Sequence, residues 1–163
     1  MKDLRSKIYK VIGIVSLLIF VSFSFSPSKA LAITVSFDSE DTLVMQDDKG
    51  RSGLNACKDK RVSSGRQIPP IKLRTIRPSD TACCRDEVRL EVTLDTEVQS
   101  DGESVLFDGD AILYEGSSCY SSVKEDVDHI HELVRIDVPE YVDFKLSSRD
   151  NFARGTLKLE VLD

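Results

Sequence analysis

The sequence predicts an all-β protein, an antiparallel β-sandwich of about eight strands with a long disulfide-tethered loop. Two observations predict this fold. Apolar residues recur with a period of two rather than 3.6 over most of the chain, and β-branched residues are frequent in those segments. In addition, the segment 33–163 that remains after an N-terminal export signal has a length that suits one domain with one hydrophobic core.

Residues 1–32 have the pattern of a signal peptide that is removed during export. A basic start is followed by the apolar stretch 11–25, then by a proline and several small residues. The apolar stretch is shorter than the roughly 20 residues that a membrane-spanning helix needs. We therefore expect cleavage after Ala32, with Ala30 as the alternative, no membrane span in the mature chain, and a secreted or periplasmic location.

Eight segments carry the alternating pattern that predicts a strand. They are 33–37, 42–46, 71–76, 88–98, 104–114, 130–138, 141–147 and 156–162. One region carries two signals, because four apolar residues between 123 and 134 also match one face of a helix, with Ser122 and Glu125 as a capping box. We therefore expect a short helical turn over 122–128, before the strand that starts at residue 130.

The segment 47–70 predicts a long loop, because it is rich in Gly, Ser and Lys and ends in two prolines. Loops of this length are uncommon in compact domains unless they are functional or tied down. Charge is also uneven: residues 49–89 hold eleven basic and four acidic side chains, whereas residues 90–163 hold six basic and eighteen acidic ones. Without residues 1–32 the chain carries a net charge of about −10, which disfavours nucleic acid as a partner.

The four cysteines predict two disulfides in an oxidising compartment. Cys83 and Cys84 are adjacent, and their Cα atoms, about 3.8 Å apart, are too close for the usual disulfide span of roughly 4.4 to 6.8 Å. Each should therefore pair with Cys57 or Cys119. Both remaining pairings stay open, 57–83 with 84–119 or 57–84 with 83–119, and in either case Cys57 tethers the long loop.

The central hairpin has a register that the sequence itself predicts. Asp101 and Gly102 form the pair favoured in two-residue type I′ turns. If they are the two loop residues, the numbers of opposed residues sum to 203, which places Leu90 opposite Leu113 and Val98 opposite Val105. Nearly all side chains of that face are then apolar, and a slip of one residue would turn the face outward.

The opposite face of the hairpin is acidic. It carries Asp95 directly across from Asp108, with Asp110 beside them and further carboxylates at Glu91 and Glu97. Like charges on opposed residues destabilise a sheet, so this face needs water, cations or basic side chains. Three interpretations remain open: a solvated acidic face, a face covered by the basic 49–77 segment, and a Ca²⁺ site formed by Asp95, Asp108 and Asp110. The spacing does not match an EF-hand loop.

A second metal hypothesis concerns His129 and His131. In a strand, residues i and i+2 share a face, so the two imidazoles are placed to bind a transition metal, with Asp128 or Glu132 as a further ligand.

No catalytic motif is found in the sequence. It contains no GxSxG, no HExxH and no glycine-rich phosphate loop. The leading hypothesis is an exported, non-catalytic β-sandwich that binds an envelope or extracellular partner. The alternative is a small secreted hydrolase with a carboxylate active site, which would require two acids brought together by the fold.

Overall fold

The computed structural model describes residues 32–47, 56–57, 60–68, 76–85 and 87–163, so nearly all of the predicted signal peptide lies outside the described residues. The described part contains strands and no helix, which confirms the all-β class. The strands are β1 (Ile33–Asp38), β2 (Val44–Gln46), β3 (Ala56–Cys57), β4 (Ser63–Ile68), β5 (Ser79–Cys84), β6 (Val88–Val98), β7 (Ser104–Glu115), β8 (Val123–Arg135), β9 (Glu140–Ser147) and β10 (Phe152–Leu162).

The strands form two antiparallel sheets in a sandwich-like arrangement. The second sheet has the order β5-β6-β7-β8. In the first sheet, one side of β10 pairs with β9, and its other side pairs with β1 and β2. On their far sides, β1 pairs with β4 and β2 pairs with β3. The described part thus contains ten strands, six in the first sheet and four in the second, where the sequence predicts about eight.

The interruption between β1 and β2 is closed by side chains. Ser39 is fully buried, and its hydroxyl accepts a hydrogen bond from the Val62 N–H at 3.0 Å. The Thr42 hydroxyl accepts a hydrogen bond from the Thr156 N–H at 2.9 Å. Two hydroxyls therefore satisfy backbone donors where the regular ladder stops, as buried backbone groups require.

The core lies between the sheets and follows the predicted alternation. In β6 the residues Val88, Leu90, Val92 and Leu94 are fully buried, and the residues between them are half-buried. The first sheet contributes large buried side chains that include Phe37, Met45, Leu146, Leu157 and Leu159. Full burial of a large apolar side chain stabilises a fold by about 1.5–3 kcal/mol, so this core is the main source of stability.

The predicted register of the central hairpin is confirmed. Leu90 pairs with Leu113, Asp95 with Asp108 and Val98 with Val105. The predicted type I′ turn is wrong, because that turn needs a positive φ at both loop residues. Gly102 has a φ of 68° but Asp101 has no positive φ, and the Gly102 N–H donates to the Gln99 carbonyl. The chain reverses over residues 100–103, which have the same midpoint as 101–102, and the register is therefore unchanged.

Two predictions about secondary structure are wrong. Residues 123–128 belong to β8 rather than to a helical turn, and Ile130 and Val134 point inward while Val127 points outward, so these residues share no helical face. Within the predicted loop, 63–68 forms β4, an edge strand with little apolar alternation that is held by backbone pairing to β1. The strand β5 was not predicted, because its sequence SDTACC contains no long apolar side chain.

The strand predicted over 71–76 falls mostly on residues outside the described ones. Ile76 is described, and it forms an isolated antiparallel bridge with Thr96 of β6. The sheet therefore gains a rung just before β5, next to Arg77.

Both disulfides are present, in one of the two pairings that the sequence left open. Cys57 of β3 pairs with Cys84 of β5, and Cys83 pairs with Cys119, with Cα–Cα distances of 5.7 and 5.9 Å. The first bridge joins the two sheets within the core, where Cys84 is fully buried. The second ties the β7–β8 connection to β5. Two disulfides are compatible with an oxidising location outside the cytoplasm.

The layers also meet along the side formed by β8 and β9. Asp126 accepts a hydrogen bond from the Ser147 N–H at 2.7 Å, and Asp128 accepts one from the Lys145 N–H at 3.1 Å. Side-chain carboxylates of the second sheet thus satisfy backbone donors of the first. In the described residues there is no helix long and apolar enough to cross a membrane.

Candidate functional site

The surface with the most chemically distinctive residues is the side of the second sheet that points away from the core. We call it the outer face, and it consists of twelve side chains from β6, β7 and β8. Four cross-strand rows make it up: Glu91, Ile112 and Val127; Thr93, Asp110 and His129; Asp95, Asp108 and His131; Glu97, Leu106 and Leu133. The carboxylates of β7 and the imidazoles of β8 occupy the two middle rows, and each of the two outer rows holds a glutamate of β6 and an apolar pair from β7 and β8.

Asp95 is neutralised by a cation from outside the sheet. Arg77, which precedes β5, donates two hydrogen bonds to the two oxygens of the Asp95 carboxylate, at 2.7 and 2.6 Å. The hydrogen bond from Arg77 lowers the pKa of Asp95, so this carboxylate stays ionised at neutral pH. The repulsion predicted between Asp95 and Asp108 is thus offset by a residue of the basic 49–77 segment. Of the other bases in that segment, Arg61 pairs with Asp38 on the first sheet.

Asp108 lies between two histidines. Its Oδ1 atom is 2.9 Å from Nδ1 of His131 and 3.2 Å from Nε2 of His129. The side chains are substantially exposed, at 48% for Asp108, 61% for His129 and 63% for His131. These three residues offer ligand atoms that all lie within 4.8 Å of one another.

The other ring nitrogen of His129 contacts a second carboxylate. Nδ1 of His129 lies 3.1 Å from Oδ1 of Asp110. This hydrogen bond raises the pKa of His129, and the charges of Asp108 and Asp110 add to the increase against partial desolvation of the ring. His129 is therefore held between two carboxylates, one on each ring nitrogen.

The predicted site residues are thus only partly brought together. Asp108 and Asp110 share the middle of the outer face, whereas Asp95 has both oxygens engaged by Arg77, and the Ca²⁺ site at these three residues remains a prediction. Asp128 and Glu132, expected beside the histidines, alternate to the other face of β8. The acids that do meet the histidines come from β7, across a register that the sequence alone did not specify.

Apolar side chains flank this polar centre. On one side Leu106 pairs with Leu133, which is 57% exposed, and on the other Ile112 pairs with Val127, which is 37% exposed. Regular strands hold these groups in place, so the exposed apolar area is presented on a fixed surface. Scattered single apolar residues are normal on surfaces, whereas here two cross-strand apolar pairs lie on either side of the polar centre.

A shallow depression of about 260 Å³ lies on the same face. Its lining includes Glu91, Asp95 and Asp110, whose side chains are 35%, 35% and 43% exposed. A second depression, of about 280 Å³, lies on the first sheet and contains the carboxylate of Asp143. A general acid in glycoside hydrolysis needs a pKa raised by burial, whereas these carboxylates are open to solvent and the pKa of Asp95 is lowered.

The disulfide Cys83–Cys119 lies at the border of the outer face, at the end where β7 connects to β8. Arg89 donates a hydrogen bond to the Cys119 carbonyl at 3.0 Å, and its guanidinium lies 4.1 Å from the centre of the Tyr114 ring. The connection between β7 and β8 is therefore held by the disulfide and by the hydrogen bond from Arg89, whose cation–π contact with Tyr114 joins β6 to β7.

Comparisons of the chain with protein-family models, with curated proteins and with solved structures find no match.

Proposed function

We propose that this protein is an exported, non-catalytic binding module that attaches to a protein partner in the cell envelope or outside the cell through its outer face. Export is supported by the signal-peptide pattern of residues 1–32 and by two disulfides, which persist in oxidising compartments. The acidic balance of the mature chain argues against nucleic acid as the partner.

The observation that carries the proposal is the exposed apolar surface on the outer face. Leu133 and Val127 remain exposed although both lie on regular strands beside half-buried apolar neighbours, Leu106 and Ile112. Such a surface costs free energy in water and is stabilised when a partner covers it. The charged centre supplies polar groups that fix the orientation of a partner.

The alternative, a small secreted hydrolase with a carboxylate active site, has less support. It would need an enclosed pair of acids, one with a raised pKa. In the described part of the chain, the carboxyl groups whose pKa values depart from their usual range are Asp38, Asp95 and Asp101, and all three are lowered. A binding surface fits these exposed, ionised groups better than an acid–base pair does.

Site-specific photocrosslinking tests the proposal. A photoreactive amino acid replaces Leu133 on the outer face or, as the matched control, Tyr141 on the first sheet, since both residues are 57% exposed. In cells that naturally produce the protein, we expect a discrete crosslinked product from position 133 and none from position 141. A product from position 141 alone, equal products from both, or none from position 133 would contradict the proposed binding face.

A further inference from the structure

We propose that Asp108, His129 and His131 bind one divalent transition-metal ion, of the class of Zn²⁺ or Cu²⁺, on the outer face. The inference does not depend on the proposed protein partner, because it concerns side chains of this chain alone. It also differs from the predicted Ca²⁺ site in its ligands and in the chemistry of the ion.

Two of the three distances between the ligand atoms are close to those around a bound ion. Around a tetrahedral Zn²⁺ with bonds of about 2.0–2.1 Å, neighbouring ligand atoms lie roughly 3.3 Å apart. Oδ1 of Asp108 lies 3.2 Å from Nε2 of His129 and 2.9 Å from Nδ1 of His131. All three ligand atoms lie within 4.8 Å of one another, so the ligands of the ion are already gathered before it binds.

Asp110 adds an independent feature of metal sites. A histidine that ligates a metal almost always donates its other ring N–H to a carboxylate, a carbonyl or water, which fixes the tautomer. Nδ1 of His129 is 3.1 Å from Asp110, so a ring that binds an ion through Nε2, on the side of Asp108, would keep its Nδ1–H to donate to this carboxylate. Asp110 is thus a positioning residue that prepares His129 for a metal, rather than a ligand itself.

The backbone holds the ligands in fixed relative positions. Asp108 pairs directly with His131 and Asp110 with His129 in the middle of the β7–β8 ladder. The two imidazole rings lie 6.3 Å apart with an angle of 23° between their planes. Sites built on strands position their ligands more accurately than sites on loops, so the entropy lost on binding is small.

The ligand set selects the class of ion. Imidazole nitrogens suit Zn²⁺, Cu²⁺ and Ni²⁺, whereas Ca²⁺ prefers six to eight oxygen ligands. Arg77 occupies both oxygens of Asp95, so that carboxylate would have to leave its cation to join an oxygen site. Because the three ligand side chains are about half or more exposed, the ion would keep a coordination position open to water.

Isothermal titration of the untagged protein with ZnCl₂, CuCl₂ and CaCl₂ tests the inference. We expect one Zn²⁺ or Cu²⁺ per chain, with Cu²⁺ bound more tightly. His129→Ala and His131→Ala should each abolish this binding, and Asp110→Ala should weaken it by about 10–100-fold through loss of positioning. Glu132→Gln is the matched control, because it alters a neighbouring residue of β8 that lies on the opposite face, and its affinity should equal that of the wild type.

Three outcomes would overturn the inference. The first is the absence of Zn²⁺ and Cu²⁺ binding to a protein with a wild-type circular dichroism spectrum. The second is binding that survives in both histidine variants. The third is an equal loss of affinity in Glu132→Gln, which would place the ion elsewhere. Ca²⁺ binding retained by His131→Ala but lost in Asp95→Asn would favour the acidic Ca²⁺ site instead. None of these results depends on a crosslinked partner.

Discussion

Asp95 and Asp108 face each other across two strands, although like charges on opposed residues destabilise a sheet. Each carboxylate has a separate partner: Arg77 holds both oxygens of Asp95, and His131 contacts Asp108. The two partners come from opposite sides of the β6–β7 hairpin. The hairpin alone predicts a repulsion between these two carboxylates. It is offset by Arg77 and His131, which come close to them only in the complete sheet.

Replacement of Arg77 by Gln should lower the melting temperature at neutral pH, because Asp95 then faces Asp108 without its cation. The folded-state pKa of Asp95 is lowered, so the pair contributes stability above the unfolded-state pKa of about 3.9 and loses it as pH falls through the folded-state value. Calorimetry of both proteins should therefore show a constant difference above about pH 5 that disappears in stronger acid.

Arg66→Gln provides the control for this experiment. Arg66 is an exposed residue of β4, and among the described residues no ion pair with it is seen. Its replacement should leave the melting temperature nearly unchanged at every pH. A difference between wild type and Arg77→Gln that does not shrink as pH falls below the unfolded-state pKa of about 3.9 would show that Arg77 acts through packing rather than through Asp95.

At the scale of the elements, the β6–β7 hairpin depends on one glycine. A Cβ atom at Gly109 would lie 2.1 Å from the Thr93 carbonyl oxygen and 2.9 Å from the Leu94 Cα. Both contacts are with the backbone of β6, which cannot rotate away as a side chain can. Close approach of two backbones is a recurrent reason for glycine in a strand.

Gly109→Ala should therefore destabilise the protein by about 1–3 kcal/mol or more, because β6 and β7 must separate to admit the methyl group. Gly65→Ala is the matched control: its Cβ would lie 3.4 Å from the nearest atom, the Ser36 Cβ, in ordinary contact. Urea denaturation of both variants checks the expectation. Equal stabilities would show that the strands tolerate a side chain at position 109.

The elements also show which structural features the sequence was able to predict. β6 and β7 have strong alternation and a short turn, and their register follows from the Asp101–Gly102 pair even though the turn type does not. β4 and β5 lack that alternation, and they are strands only because β1 and β6 provide backbone partners. Local pattern cannot reveal a strand that depends on pairing with a neighbour.

The candidate metal site was only half predictable for the same reason. His129 and His131 share a face by the period of two, which the sequence shows directly. Their meeting with Asp108 and Asp110 depends on the β7–β8 register, which is set across a seven-residue connection, 116–122, and a register shift between Leu113 and Tyr114. Neither feature has a sequence signal of its own.

At the scale of the whole molecule, the two disulfides have different structural roles. Cys57–Cys84 links the two sheets through the core, whereas Cys83–Cys119 fastens a connection to the border of the outer face. The adjacent cysteines of β5 make this division possible, because successive residues of a strand point to opposite faces of the sheet. Cys84 therefore points into the core and Cys83 toward the surface.

Replacement of either pair by alanine should lower the free energy of unfolding by about 3–4 kcal/mol on the chain-entropy estimate. The Cys57/Cys84 double variant should lose more, because it also leaves a cavity where Cys84 is fully buried. Urea denaturation without reductant measures the difference. Peptide mapping of the wild type should find no free thiol, and a Cys57–Cys83 peptide or an unchanged stability in either variant would contradict this division.

The contact of β8 with β9 also affects the free edge of β9. β9 lies at the border of its sheet, and a bordering strand with free N–H groups is a template on which another chain can add a strand and start a fibre. In this protein the N–H groups of Lys145 and Ser147 are already bound by Asp128 and Asp126. An incoming chain would have to displace two carboxylates and would itself meet negative charge. The other layer of the sandwich therefore leaves this half of β9 with two fewer N–H groups for an added strand.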